Sequence, residues 1–253
     1  MLPLFSLLAL LAAAPSRAAF ELDGLEASLL FADHRKLGAN PATLGSLPCF
    51  TWQLAHHLPF GLRELRYDQI VLGLPFKQAG ASLSFSSTGF DLHRELGWRL
   101  ALGFSRHSLG LGVGLNFLSL AQRGVPSRRS FAPTAGLLFK PSPKLQLATW
   151  WQKATPISSG RFFVSITRHL DARSSLYLHG RRYPTRPARF DLAAVHRLHP
   201  RLKLRLGLRS VPRRFALGAG FSMERLQLDY GVVTHAYLGP SHTFHLANTC
   251  RSP

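Results

Sequence analysis

Apolar and polar residues alternate with a period of two through most of this chain. In one stretch Leu202, Leu204, Leu206 and Leu208 are interleaved with Lys203, Arg205, Gly207 and Arg209. Side chains of a β-strand point to opposite faces in turn, so such a pattern predicts strands with one apolar and one wet face. Fourteen segments carry it, at about 47–57, 63–74, 78–87, 95–105, 108–119, 130–140, 144–152, 160–168, 173–181, 187–196, 201–209, 213–221, 225–234 and 241–248. The clearest apolar rows are Leu96, Trp98, Leu100, Leu102 and Phe104, then Leu109, Leu111, Val113, Leu115 and Phe117, then Phe215, Leu217, Ala219 and Phe221. Their interleaved partners are small or polar, among them Ser82, Ser84, Gly110, Gly112, Gly114, Asn116 and Ser165.

The N-terminus departs from this pattern. Leu2 to Leu11 is almost wholly apolar and leads into small residues, with Ser16 and Ala18 at the minus-three and minus-one positions of a cleavage site after Ala18. This predicts an export signal over 1–18, although a basic leading region is missing. No later run approaches the ~18 apolar residues that a spanning helix needs. An exported chain that alternates in this way fits one membrane architecture, because lipid admits only helices and closed barrels. The predicted fold is all-β, a closed antiparallel transmembrane β-barrel of about 14 strands. A signal peptide (1–18) and a short periplasmic or plug-like segment (19–46) precede the barrel (47–250). Localisation in a bacterial outer membrane follows, and a soluble periplasmic β protein is the competing reading.

Connections should alternate between short periplasmic turns and longer external loops. Short links are expected at Ser105–His107, Lys140–Pro143, Leu170–Ala172 and Ser222–Glu224. Longer ones are expected at Ala121–Arg129, Lys153–Ser159, Arg182–Pro187 and His235–Pro240.

Charge sharpens the picture of the interior. Lys and Arg number 31 against 12 Asp and Glu, a formal charge of +19. Alternation turns Arg99, Arg189, Asp191, Lys203, Arg205, Arg209, Gln227 and Asp229 toward the lumen, where cations outnumber anions. The two consequences open are an anion-favouring passage and a barrel filled by its own ion pairs. At the outer rim, Arg128, Arg129, Arg181, Arg182, Arg186, Arg213 and Arg214 suit outer-membrane lipids, including lipopolysaccharide phosphates, through bidentate hydrogen bonds. Nucleic acid is not an expected partner, since no basic helix, zinc-ligand spacing or aromatic RNA-binding motif accompanies the charge. No cofactor, metal site or catalytic constellation is expected either. His56 and His57 are adjacent and face opposite sides of a strand, which makes them no metal pair. Trp150 and Trp151 split in the same way, one toward lipid and one toward the lumen.

Cys49 opens the first predicted strand and Cys250 follows the last, so both reach the periplasmic end of a closed barrel as neighbours. A bridge would close a loop of roughly 200 residues and contribute ~4 kcal/mol by loop entropy. Strict alternation would aim the two side chains at opposite faces, and a bridge requires the tail to bend.

Two short motifs bring a family into view. Phe31-Ala32-Asp33 followed by Asn40-Pro41-Ala42 resembles the stretch near the start of FadL-like barrels of the PorV/PorQ type, known from outer membranes of the Bacteroidetes and related phyla. The run Tyr230-Gly231 and His235-Ala236-Tyr237-Leu238-Gly239-Pro240-Ser241-His242-Thr243-Phe244 is similar to that family's closing hairpin. Departures are Arg35-Lys36-Leu37-Gly38 ahead of the Asn-Pro-Ala stretch, and a terminal Cys250-Arg251-Ser252-Pro253 in place of an aromatic. The resemblance implies fourteen strands and one of two roles. One is passage of a hydrophobic or anionic solute across the outer membrane, with Leu25, Leu29, Leu30, Phe31, Asn40 and Pro41 in a plug along the ligand path. The other is a non-transporting scaffold or shuttle that works with secretion-system proteins.

Overall fold

The computed structural model describes residues 40–153, 160–183, 186–235 and 237–250. Fourteen strands form in chain order. They are β1 (Thr51–Leu58), β2 (Tyr67–Phe76), β3 (Ala79–Phe90), β4 (His93–Arg106), β5 (Leu109–Gln122), β6 (Val125–Ser142) and β7 (Leu145–Gln152). The second half comprises β8 (Arg161–His169), β9 (Ser174–Tyr183), β10 (Arg186–His199), β11 (Leu202–Arg209), β12 (Arg214–Met223), β13 (Leu226–Val233) and β14 (Ser241–Asn248). Each pairs antiparallel with its sequence neighbours, and β1 pairs with β14 to close the cylinder. No sheet edge is left among the described residues, which is what lipid demands of a β structure.

The closing seam runs from Gln53 opposite Ala247 to Leu58 opposite His242. Below it the Asn248 amide takes over from the ladder. Its Oδ1 accepts from the Trp52 backbone N–H at 2.7 Å, and its Nδ2 donates to the Phe50 carbonyl at 2.8 Å. A disulfide between Cys49 and Cys250 then ties the two ends of the barrel chain, with Cα atoms 5.9 Å apart.

Inside and outside are reversed relative to a water-soluble protein. Leu111 and Leu206 are about 60% and 58% exposed, and Leu100, Val113, Val164, Leu204, Phe215 and Leu217 also face outward. Arg205 and Asp229 are completely buried within the barrel, together with Asp191, Thr243 and Gln227. An apolar exterior wrapped around a charged interior would be insoluble in water and is the surface of a membrane-spanning barrel. The soluble β-protein reading does not survive this inversion. No helix of the described residues is long and apolar enough to cross a membrane.

The connections sort less cleanly than expected. At the end that carries Cys49 and Cys250, most turns span two residues, at 77–78, 107–108, 143–144, 200–201 and 224–225, with 170–173 slightly longer. Their first residues adopt positive φ at Lys77 (46°), His107 (53°) and Glu224 (27°), as tight hairpins of matching twist require. At the other end 59–66 and 234–240 are long, but the Ala121–Arg129 loop does not exist. There β5 and β6 continue to a two-residue turn at Arg123-Gly124, where Gly124 takes a φ of 79°. The Arg182–Pro187 loop is likewise a correction, because β9 runs to Tyr183 and β10 restarts at Arg186. In both places the hairpin projects past the apolar belt, where alternation no longer marks it. Most of the expected Lys153–Ser159 loop lies outside the described residues, as do the 1–18 signal and Leu25, Leu29, Leu30 and Phe31.

Candidate functional site in the barrel lumen

The lumen is lined in two different ways. A short 3-10 helix, Pro41–Ser46, hereafter the inner turn, lies inside β3–β6 against inward positions that are small, Gly80, Gly103, Gly112 and Gly136. Asn40 caps it by accepting from the Ala42 backbone N–H at 2.9 Å. The same side chain donates to the carbonyls of Leu137 (3.2 Å) and Thr149 (3.3 Å), so one amide both starts the turn and pins it to β6 and β7. Pro41 at the first position supplies a preset φ. Backbone lies directly on backbone. A Cβ at Gly80 would collide with the Leu44 carbonyl, at Gly103 with that of Pro41, at Gly112 with the Pro41–Ala42 peptide, and at Gly136 with the Asn40 side chain. Ser105 Oγ donates to the Gly45 carbonyl at 2.7 Å, and Leu44 packs on Val71 and Ala101.

Across the lumen, β9–β14 carry charge. Asp191 accepts from Arg181 Nη2 at 2.5 Å through one oxygen and from Arg209 Nε at 2.9 Å through the other. Nearer the terminal end, Asp229 accepts from Arg205 Nη1 at 2.6 Å and from Gln227 Nε2 at 3.0 and 2.9 Å. Lys203 Nζ in turn donates to Gln227 Oε1 at 3.1 Å. Gly220 makes room for this cluster, since a Cβ there would strike the Asp229 carboxylate and the Arg205 guanidinium. Arg99 and Arg189 hold inward positions on β4 and β10. The eight residues assigned to the lumen by alternation therefore all point into it, six of them in these two clusters. Arg181 is a correction: it is a buried partner of Asp191 and not a rim residue.

At the end away from the termini, two connections meet. The Phe60 backbone N–H donates to Ser241 Oγ (2.9 Å), His235 Nε2 bonds the same hydroxyl (2.8 Å), and the Phe60 and His235 rings meet edge to face at 4.4 Å. Burial, and after it the positive charges of Arg214 and Arg209, lower the His235 pKa to about 4. His56 and His57 do face opposite sides. His56 Nδ1 meets Asp68 at 2.6 Å on the exterior, whereas His57 is buried against Thr243 at 2.7 Å. Among the described residues no group of three His, Cys, Asp or Glu is placed to hold a metal.

The inner turn blocks only part of the mouth. Between it and the β7–β11 wall lies a cavity of about 290 Å³, bordered by Thr43, Trp150, Ser165, Tyr177, Val195 and Lys203. Trp150 faces the lumen and its neighbour Trp151 faces out. A contribution that no period reveals comes from Phe163, whose ring lies parallel to Trp150 (centroids 4.7 Å, interplanar angle 5°) and braces its back.

No protein-family model matches this chain, and no curated protein matches it. Solved structures do resemble it. The Pseudomonas putida toluene transporter TodX aligns over 85% of this chain and 92% of its own, with 10% identity and a TM-score of 0.61. A second TodX structure covers 88% and 92% at 9% identity and a TM-score of 0.58. A mutant porin of Rh. blastica covers 79% and 98% at 8% identity and a TM-score of 0.48. At these identities the likeness to TodX is one of fold: a closed antiparallel barrel of the architecture that this transporter uses.

Proposed function

We propose that this chain is an outer-membrane channel of FadL-like design that passes a hydrophobic or anionic solute, with its termini and inner turn facing the periplasm. The observation that carries the reading is the cavity beside the inner turn, which among the described residues is lined by aromatic, hydroxyl and cationic side chains. The TodX-like fold supports the channel class, and the excess of arginine over aspartate in the lumen supports passage of anions. In this reading 1–18 is a cleaved export signal, 19–46 is a plug, and 47–250 is the barrel. The protein acts without catalysis. Exposed Arg128, Arg129, Arg182 and Arg213 at the outer rim meet lipid A-type phosphates.

A second reading is a non-transporting barrel of the PorV/PorQ type that serves secretion-system proteins. The complete burial of Arg205 and Asp229 favours it, because interlocked ion pairs fill a lumen that a wide pore would keep wet. Liposome swelling separates the two. Purified protein in liposomes is expected to speed entry of small organic anions and amphiphiles over protein-free controls. Absence of any flux, together with recovery of secretion components by affinity capture from outer membranes, would replace the channel with the scaffold.

A further inference from the structure

We propose that the cavity beside the inner turn is a binding site for a small planar organic anion of the aromatic carboxylate class, held at the periplasmic mouth. The proposal rests on the channel reading and narrows its solute.

Three observations converge on this chemistry. The first is a flat aromatic platform, because Phe163 stacks on the back of Trp150 while Trp150 borders the cavity, with Tyr177 and Val195 beside it. Trp150 is largely buried, so what it gives the cavity is an edge of aromatic wall held in place by Phe163. The second is the charge of the rim, where Arg173, Arg197 and Lys203 border the same cavity. The acid beside them, Asp171, is committed to its own turn. It accepts from the backbone N–H of Arg173 (2.6 Å) and of Ser174 (2.7 Å) and from Ser174 Oγ (3.1 Å). The Arg173 bond foremost holds its carboxyl below the usual carboxylate range. Lys203 is steadied by Gln227 at 3.1 Å, which fixes an ammonium with three donors at the edge. The cavity therefore has an apolar, planar side and a cationic side, and charge-assisted hydrogen bonds to a carboxylate are the strongest that such a rim can make.

The third observation is size. At about 290 Å³ the space is at the small end of small-molecule sites. One ring with its carboxylate fits. A neutral hydrocarbon would make no use of the rim cations.

The test uses the full-length protein, refolded in detergent, with 4-fluorobenzoate as the probe and its ¹⁹F signal as the readout. Saturable binding is expected. It should fall about tenfold or more in Trp150→Leu and several-fold in Lys203→Gln, and be unchanged in Trp151→Leu, whose side chain lies on the lipid side. The neutral 4-fluorobenzyl alcohol should bind about tenfold more weakly than the anion. Lys203→Gln leaves the aromatic packing intact, so it keeps the test decisive if Trp150→Leu does not fold, as judged by heat-modifiable migration. No saturable binding, equal affinity for acid and alcohol, or folded variants that bind like wild type would overturn the site. Liposome flux on the same preparation separates the layers. Binding without flux keeps the site and removes the channel, whereas flux without Trp150-dependent binding keeps the channel and removes the site.

Discussion

The two halves of the lumen solve the same problem with opposite chemistry. A barrel of this strand number encloses more space than its wall can fill with small side chains. Where β3–β6 face the inner turn the wall has given up its side chains, and Gly80, Gly103, Gly112 and Gly136 admit a piece of the chain itself. Along β9–β14 the wall keeps long side chains and pairs them in place, through Asp191 with two arginines and Asp229 with one. The first half is held by backbone contact, the Asn40 amide, the Ser105 hydroxyl and the packing of Leu44. The second is held by buried charge. Filling by a docked segment is removable in principle, since the segment has a free alternative. Filling by ion pairs is not, because each partner left alone would be a bare charge in a dry interior.

The sharpest way to break this contrast is Asp229→Ala. Removing the carboxylate leaves Arg205 buried without its anion, and a loss of about 3–5 kcal/mol is expected. A urea midpoint for the refolded barrel checks it, and a midpoint within error of wild type would mean that the cluster is hydrated and not a structural fill. The matching change on the other wall is Gly112→Val. Here the barrel should fold normally while the inner turn fails to seat, since overpacking of about 1–3 kcal/mol or more falls on that contact alone. Backbone amides of Thr43 and Leu47, which bond the carbonyls of Asn40 and Leu44, should then exchange at rates close to those of an unprotected chain. Asn40→Ala is milder. It deletes three hydrogen bonds at about 1 kcal/mol each, so about 2–3 kcal/mol of docking is lost. The same amides should exchange some 30–150 times faster, with the barrel strands unaffected.

The smallest effect concerns the mouth away from the termini. His235 titrates near 4 instead of 6.5, so the seated connection prefers the neutral ring. A displaced connection would take up the proton first. Seating is fully favoured above about pH 6.5 and weakens as the pH falls from 6.5 toward 4. A histidine NMR titration should show a midpoint near 4 for His235, and a midpoint at the ordinary value would mean that the ring is not enclosed by Phe60, Ser241 and the arginines.

The same contrast explains what could be read from residue order alone. Wherever a strand touches lipid, hydrocarbon enforces the period of two. Rows such as Leu109 to Phe117 and Leu202 to Leu208 therefore announce both their strands and their outward faces, and the lumen position of Arg205, Arg209 and Asp229 follows from parity. Beyond the belt the constraint stops. Val125 to Arg129 extends β6 into water with no apolar partner row, and it reads as a loop. Arg181 reads as a rim position for a related reason, since one more pair of residues in β9 makes it a buried one. The glycines of β3–β6 are visible as small residues, but their purpose depends on a turn that precedes the barrel in sequence. Asn40 reaches Leu137 and Thr149 across 97 and 109 residues, a distance over which no local pattern carries information.

The most direct test of the central claim, that adjacent residues of this wall face hydrocarbon and lumen in turn, uses Trp150 and Trp151. Two single-tryptophan proteins, with the other tryptophans replaced by phenylalanine, are reconstituted in bilayers containing lipids brominated on their acyl chains. Strong quenching of Trp151 with little quenching of Trp150 is expected. Equal quenching of the two, or the reverse order, would contradict the inside-out arrangement on which the channel and its binding site depend.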